Sequence, residues 1–331
     1  MRLRRITLSV LITMLIASPS FAGMELGALR VATSSGFFLK IGVSPRAEAM
    51  GGAWVAVVSD ATASWYNPAG LGLLANRQTS MGYVAWPADI HYVNAAVGIP
   101  GGLFGGTWGL QLGNLSTIVD ETTEYEPYGT GREFLYSDTV IGLTFARFMT
   151  DKLILGISGK YVREDMGSTV GGPVVQTWVV DAGTLYHIDW HNTRIGMSIQ
   201  NFGPEFKPPG EYWNYSENKW EEYEGFPPPS TFRLGVAWDA FKAWPWMITH
   251  TLDLNHPADN RETISTGAEL SYMGGLFALR SGYRFMAEEM KFSAGFGVAF
   301  MMGSAMAGLD YSYTDGQELG AIHRWGMRVD F

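Results

Sequence analysis

From Gln78 to Phe331 the chain alternates apolar and polar residues in runs of about ten, the period of strands that bury one face and wet the other. The last run sets His323, Trp325, Met327, Val329 and Phe331 against Arg324, Gly326, Arg328 and Asp330. Phe292, Ala294, Phe296, Val298 and Phe300 oppose Lys291, Ser293, Gly295, Gly297 and Ala299 in the same way. So do Phe232, Leu234, Val236 and Trp238 against Arg233, Gly235, Ala237 and Asp239, and Ile195, Met197 and Ile199 against Arg194, Gly196, Ser198 and Gln200. One face of each run suits lipid and the other does not. With turn residues as punctuation, strands are expected near 78–86, 90–99, 105–117, 137–149, 152–164, 174–188, 193–202, 231–240, 247–255, 262–272, 276–286, 289–301, 304–314 and 321–331, about fourteen in all.

The connections between these strands sort by parity. The even ones, 100–104, 150–151, 189–192, 241–246, 273–275 and 302–303, are all short, and the two longest, 118–136 and 203–230, are both odd. Outer-membrane barrels have this asymmetry, short turns in the periplasm and long loops outside, whereas a soluble sandwich has no reason for it. An even strand number lets the last strand pair with the first and leaves no edge unsatisfied in lipid. The final Phe331, closing an alternating strand, resembles the terminal signal of such barrels.

The stretch Phe37 to Leu74 reads differently, as helix and turn. Ser44-Pro45 opens a short helical run that Gly51-Gly52 stops, since glycine takes a left-handed cap without steric cost. Ser59-Asp60 is expected to cap a second helix, and Asn67-Pro68 a third, with Asn67 accepting from an early N–H and Pro68 at the first position. Three short capped helices suit a compact plug. The strings FLKIGVSPRAEAMGG and AVVSDATASWYNPAGL, about forty residues together, resemble the N-terminal signature of the PorV/PorQ family of bacterial outer-membrane proteins. That family is similar to the FadL long-chain fatty acid channels, which share an Asn-Pro-Ala element in a hatch that plugs a fourteen-stranded barrel. Pro45, where the family has a small residue, and Ser59, where it often has a second acid, are departures. The resemblance implies that Arg46, Gly51, Gly52, Asp60, Asn67, Pro68, Ala69 and Gly70 belong to such a hatch.

Composition agrees with a lipid-facing wall. The 331 residues are 17% charged and 14% aromatic, with 41 glycines and 12 tryptophans, where a soluble domain carries about 25% charge. Nothing after residue 22 approaches the roughly 18 unbroken apolar residues of a membrane helix, so any span is made of strands. Arg2, Arg4 and Arg5, the apolar run Ile6 to Ala17 and Ser20-Phe21-Ala22 have the three parts of a secretory signal peptide. The chain therefore divides into a leader at 1–22, a hatch at 23–77 and a barrel at 78–331. Loss of the leader takes the formal charge from −9 to −12. An acidic chain without a basic aromatic patch has no nucleic-acid partner. The absence of cysteine removes disulfides and thiolate metal sites.

No catalytic or cofactor motif is present. His187 and His191 flank an expected turn, which is poor geometry for a metal, and His250 and Asp253 fall on opposite strand faces. The charges that alternation turns inward are Lys160, Arg194, Arg280, Arg284, Asp310, Arg324, Arg328 and Asp330. Facing lipid at mid-depth, an Arg or Lys would cost about 2–4 kcal/mol. They are expected to pair with one another and with hatch acids such as Glu48 and Asp60, the arginines of the last strands anchoring the hatch. The loop Gly203 to Ser230, with Tyr212, Trp213, Tyr215, Trp220, Tyr223 and Phe226 among six glutamates, is the candidate recognition surface, or else a lid over the mouth.

Together these features predict a non-enzymatic, all-β transmembrane antiparallel barrel with a short helical hatch in its lumen, in the outer membrane of a Gram-negative-type bacterium and in contact with its lipid. Resemblance to PorV/PorQ implies binding of an exported cargo protein or surface partner, as an accessory of type IX-like secretion. Resemblance to FadL implies a channel for a hydrophobic small molecule. The acidic aromatic loop and the length of the matching signature favour the first, and the inward faces, mostly glycine, small and charged, do not favour the second.

Overall fold

The computed structural model of the protein describes residues 31–331 apart from residue 124. The expected leader and its cleavage point lie outside the described residues. The barrel strands are β1 (Gln78–Trp86), β2 (Ile90–Ile99), β3 (Thr107–Asp120), β4 (Glu133–Phe148), β5 (Leu153–Asp165), β6 (Val174–Ile188), β7 (Thr193–Phe202), β10 (Thr231–Ala243), β11 (Trp246–Pro257), β12 (Thr263–Tyr272), β13 (Phe277–Phe285), β14 (Phe292–Met302), β15 (Ala305–Asp315) and β16 (Ala321–Asp330). A small separate hairpin, β8 (Glu211–Asn214) with β9 (Lys219–Glu222), stands in the loop between β7 and β10.

The fourteen barrel strands pair antiparallel with their chain neighbours and close through β1 and β16, from Gln78 opposite Asp330 to Ala85 opposite His323. Closure gives the ladder a partner at every strand, as hydrocarbon demands. Leu110 and Leu112 on β3, Ile141 and Leu143 on β4, Leu279 on β13, Phe296 on β14 and Trp325 on β16 are exposed on the outside. A continuous belt of such residues would drive aggregation in water and matches a bilayer. The wall is thus that of a transmembrane barrel of the outer-membrane kind.

The short connections, 100–106, 149–152, 189–192, 244–245, 273–276 and 303–304, lie on one side, and 121–132, 166–173 and 203–230 on the other. The loop expected at 118–136 is shorter than the sequence indicates. Thr117 to Asp120 continue the ladder against Glu133 to Tyr136, carrying β3 and β4 beyond the belt. In the 203–230 loop, Trp213 stands opposite Trp220 and Tyr212 opposite Glu221, a pairing that the run of glutamates hides.

Inside the barrel lie two short helices, α1 (Pro45–Ala49) and α2 (Ala63–Tyr66), and a 3-10 helix, Pro68–Leu73. Ser44 caps α1, its hydroxyl accepting from Ala47 N at 3.4 Å, and Gly51 and Gly52 follow at φ 68° and 74°. Asn67 caps the 3-10 helix through Ala69 N at 3.1 Å. The expected Ser59-Asp60 cap of the second helix is not formed. Thr62 holds the N-cap position without a side-chain bond, and Asp60 instead accepts from Thr62 N at 3.0 Å and from the Thr62 hydroxyl, making a turn ahead of the helix.

Candidate functional site

The hatch makes one lap of the inner wall. Pro45 lies against Gly326 of β16, Ala49 against Gly295 of β14, Met50 and Gly51 against Gly267 and Gly282 of β12 and β13, and Val55 against Gly196 and Gly235 of β7 and β10. Asn67 then meets Gly183 of β6, Pro68 and Ala69 meet Gly156 of β5, Leu71 meets Gly109 of β3, and Leu74 meets Gly98 of β2. Hatch number rises as strand number falls. The lap begins beside one neighbour of β1, ends beside the other, and the chain then becomes β1.

A groove in the wall makes this lap possible. Gly98 stands opposite Gly109, Gly156 opposite Gly183, Gly196 opposite Gly235, Gly267 opposite Gly282, and Gly82 opposite Gly326. Each pair removes two side chains from the inner face at one spot. At Gly295 and Gly109 an added Cβ would come within 2.7 Å and 2.6 Å of a hatch side chain, and at Gly282 it would strike the Met50–Gly51 backbone. Ala47, Met50, Trp54, Val55, Ala56 and Ala69 are fully buried as a result.

Polar bonds pin the lap at intervals. Arg46 holds Glu269 of β12 with two bonds, Nε to Oε2 at 2.9 Å and Nη2 to Oε1 at 2.8 Å, and stacks over Trp54 with 4.9 Å to the ring centre. Its Nη1 is 3.9 Å from Asp60. Arg280 joins the same Glu269 at 2.6 Å and bridges to Asp310 at 2.6 Å. Glu48 faces Arg284 at 3.6 Å and Arg324 at 3.8 Å, and these arginines also donate to Gly51 O and Gly42 O. Asp253 of β11 accepts from Val55 N at 2.9 Å. The Asn67 amide donates to Val55 O at 2.8 Å and to Thr184 O of β6 at 3.0 Å. Gln78 accepts from Ala61 N at 2.6 Å, and Gln200 donates to Trp65 O at 2.9 Å. Burial, then the Glu48 charge, raises Tyr66 far above the usual phenol range, so its hydroxyl stays protonated while accepting from Ser44 N.

The inward charges thus divide. Arg284 and Arg324 touch hatch groups, and Arg280 reaches the hatch only through Glu269. Arg328 does not anchor the hatch by an ion pair; its Nε faces Asp330 of its own strand at 3.7 Å, and Asp330 is also bonded to Gln78. Lys160 pairs with Asp181 at 2.8 Å and Arg194 with Asp239 at 3.6 Å, wall to wall, because their partners stand on adjacent strands. Gly70 packs against Val58 within the hatch. The acids that hold hatch groups most closely, Glu269 and Asp253, and Asp259 beyond β11, which binds Lys40 at 2.8 Å and the Ser34 hydroxyl, were missed by sequence reasoning. The alternation that turned Arg280 inward also turns Glu269 inward, through Ser265, Gly267 and Ser271.

Toward the side of the long loops the lumen changes character. Val84, Trp86, Ile90, Tyr92, Leu115 and Ile322 of the wall form an apolar and aromatic layer with Phe38 and Trp65 of the hatch. The 203–230 loop lies over this layer. Phe206, 2% exposed, packs on Gly36, and Ser35 N donates to Pro227 O at 3.0 Å. The ends of that loop pack over the mouth, while Tyr212, Tyr215, Trp220 and Phe226 are exposed. Trp213 and Tyr223 are half-buried, in ring contact with Trp220 and Tyr212.

No family model and no curated protein matches the chain. Its fold does match solved structures. The Ralstonia pickettii toluene transporter TbuX superposes with a TM-score of 0.55 at 15% identity, covering 87% of this chain and 97% of that one. The monoaromatic hydrocarbon channel CymD gives 0.54 at 15% identity, with 88% and 98% covered. The Pseudomonas putida toluene transporter TodX gives 0.53 at 14%, with 87% and 96% covered. At such identities the likeness is one of fold: a fourteen-stranded barrel of the kind these hydrocarbon channels use.

Proposed function

We propose that the protein is a non-enzymatic outer-membrane channel for small hydrophobic compounds, closed by its N-terminal hatch. The observation that carries this reading is the apolar and aromatic inner wall toward the loop side, which includes Trp86 and the edge-to-face rings of Tyr92 and Trp65. The inward faces are therefore not uniformly small and charged, as the sequence suggests: glycine marks the level of the hatch, and toward the mouth an apolar and aromatic layer stands among the charges. A greasy solute gains contact there that a sugar or ion does not. The shared fold with transporters and channels named for toluene and monoaromatic hydrocarbons adds support. Residues Arg46 to Gly70 act as the gate, since a solute passes only if part of the lap leaves its groove.

The cargo-handling role implied by the PorV/PorQ resemblance has one feature in its favour, the exposed acidic aromatic hairpin β8–β9, and gains nothing from the structural neighbours. Proteoliposomes separate the two. Uptake of toluene or a long-chain fatty acid above that of empty liposomes, with arabinose excluded and uptake unchanged on deleting 211–226, is the expected result. No uptake, with a protein partner retained only by the intact hairpin, overturns it.

A further inference from the structure

Arg233 of β10, Arg284 of β13 and Arg324 of β16 hold equivalent places in the lumen. Each is the next inward residue on the mouth side of a groove glycine, Gly235, Gly282 and Gly326. They form a row directly above the hatch. Two of them are matched: Arg284 and Arg324 face Glu48 at 3.6 Å and 3.8 Å, and they donate to Gly51 O and Gly42 O. Arg233 is not. It is half-buried, its guanidinium lies over the Tyr66 ring with 5.9 Å to the ring centre, and its Nε has no partner.

The neighbouring strands supply no acceptor. Ser198 of β7 and Asn255 of β11 stand directly opposite Arg233, and the Ser198 Oγ and the Asn255 Oδ1 are both unpartnered. Ser198 is 2% exposed. Asp253, one inward step deeper on β11, stands opposite Gly235 and accepts from Val55 N at 2.9 Å. Among the described residues no carboxylate bonds Arg233; Glu48 and Asp253 act on it only through space. Three arginines against these two acids leave one positive charge over. A guanidinium keeps its proton, so titration cannot remove the excess as it can between two carboxyls. In a lumen of low dielectric, an unmatched cation beside an unbonded buried hydroxyl attracts an anion that brings its own oxygens.

We infer that Arg233, with the Ser198 hydroxyl, binds the carboxylate of a small aromatic acid. The planar fork of the guanidinium matches the two carboxylate oxygens, and the hydroxyl gives a further donor. The body of the ligand is set by what lies next to the charge. Tyr66 belongs to the same layer as Trp65, Tyr92 and Trp86, of which Trp65 and Trp86 are half-buried. A flat ring covers such faces at less entropic cost than a flexible chain. The inference rests on the channel reading and narrows it, since an aryl carboxylate is then held in preference to an uncharged hydrocarbon.

The test uses the full-length protein in detergent at constant ionic strength, with binding read by calorimetry. Benzoate is set against benzamide, a neutral analogue of the same shape, acetate, a carboxylate without a ring, and hexanoate, a carboxylate on a flexible chain. Benzoate is expected to bind about tenfold or more tightly than benzamide and acetate, as a hydrogen-bonded charge pair allows, and more tightly than hexanoate. Arg233→Gln is expected to bring benzoate down to the level of benzamide and to leave benzamide unchanged, and Ser198→Ala to weaken benzoate by about three- to tenfold. Should Arg233→Gln fail to fold, Ser198→Ala and the ranking of ligands on the parent decide. Benzamide, acetate or hexanoate bound as tightly as benzoate, or benzoate retained by Arg233→Gln, overturns the assignment. Because binding is read without a membrane, benzoate held by a protein that passes no solute in proteoliposomes overturns the channel and supports the site, whereas toluene uptake without a benzoate preference overturns the site alone.

Discussion

Arg46 of the hatch and Glu269 of the barrel wall meet fork to fork, with both bonds shorter than 3 Å and both side chains largely out of water. The pair is distant in sequence and joins α1 to β12, so it holds plug to cylinder. Removing one partner of such a buried pair strands the other charge and costs about 3–5 kcal/mol, whereas replacing both with apolar groups of similar volume is often neutral. Glu269→Ala is expected to loosen the hatch, read as faster proteolysis within 37–74 and higher single-channel conductance. Arg46→Met combined with Glu269→Leu is expected to recover part of the loss, since Arg280 also loses Glu269 and keeps only Asp310. A double-mutant cycle with no coupling would show that the pair contributes nothing to closure.

The glycine groove makes a prediction with an internal control. A Cβ at Gly282 collides with the backbone of Met50 and Gly51, which has no room to retreat. Gly282→Val is expected to destabilise the seated hatch by about 1–3 kcal/mol, the usual cost of overpacking. At Gly159 of β5 nothing lies within 4 Å of an added Cβ. Gly159→Val is expected to leave conductance and melting unchanged. Equal effects at the two positions would mean that the groove is a folding feature and not a seat.

The cylinder was legible because its signal is local: alternation is written in each strand, and loop parity needs only a count. The caps at Ser44 and Asn67 were legible for the same reason. The groove was not, because it depends on register. Gly156 and Gly183 mean little apart, and only the pairing of β5 with β6 sets them side by side. The inward cations were found by parity, but their partners were not: Arg194 finds Asp239 and Lys160 finds Asp181 because of which strands are neighbours. The apolar mouth was hidden because its members, from Trp86 to Ile322, come from opposite ends of the chain and from the hatch.

Asn67 combines three roles that one substitution separates. Its carbonyl oxygen caps the 3-10 helix, and its amide joins Val55 O within the hatch to Thr184 O on the wall. A lost cap costs about 1 kcal/mol, and each net hydrogen bond about 0.5–1.5. Asn67→Ala is expected to lower stability by about 2–4 kcal/mol, with amide exchange rising over 54–70 before it rises in the strands. Asn67→Asp keeps the cap acceptor but turns both donors into acceptors facing carbonyls, and is expected to be no better than alanine. Exchange that rises uniformly over barrel and hatch would show that Asn67 is not a local pin.

The hairpin outside the mouth carries its own pH signature. The Asn214 amide, followed by Lys219, holds the Glu221 carboxyl down to about 2, and Tyr212 adds a bond. A folded value below the unfolded one stabilises the hairpin fully above the ordinary range, near 4.5, and that contribution fades as pH falls toward 2. The rings of Trp213 and Trp220, 5.5 Å apart and edge to face, report the pairing. With 5-fluorotryptophan at these positions, the native fluorine shifts are expected to persist at pH 5 and to collapse toward the free value between pH 4.5 and 2. Glu221→Gln removes this carboxyl, so its shifts are expected to be partly averaged at neutral pH and to change less across that window, where Glu222, held down by Lys207, still titrates. Collapse of the parent well above pH 5 would place the switch on another group.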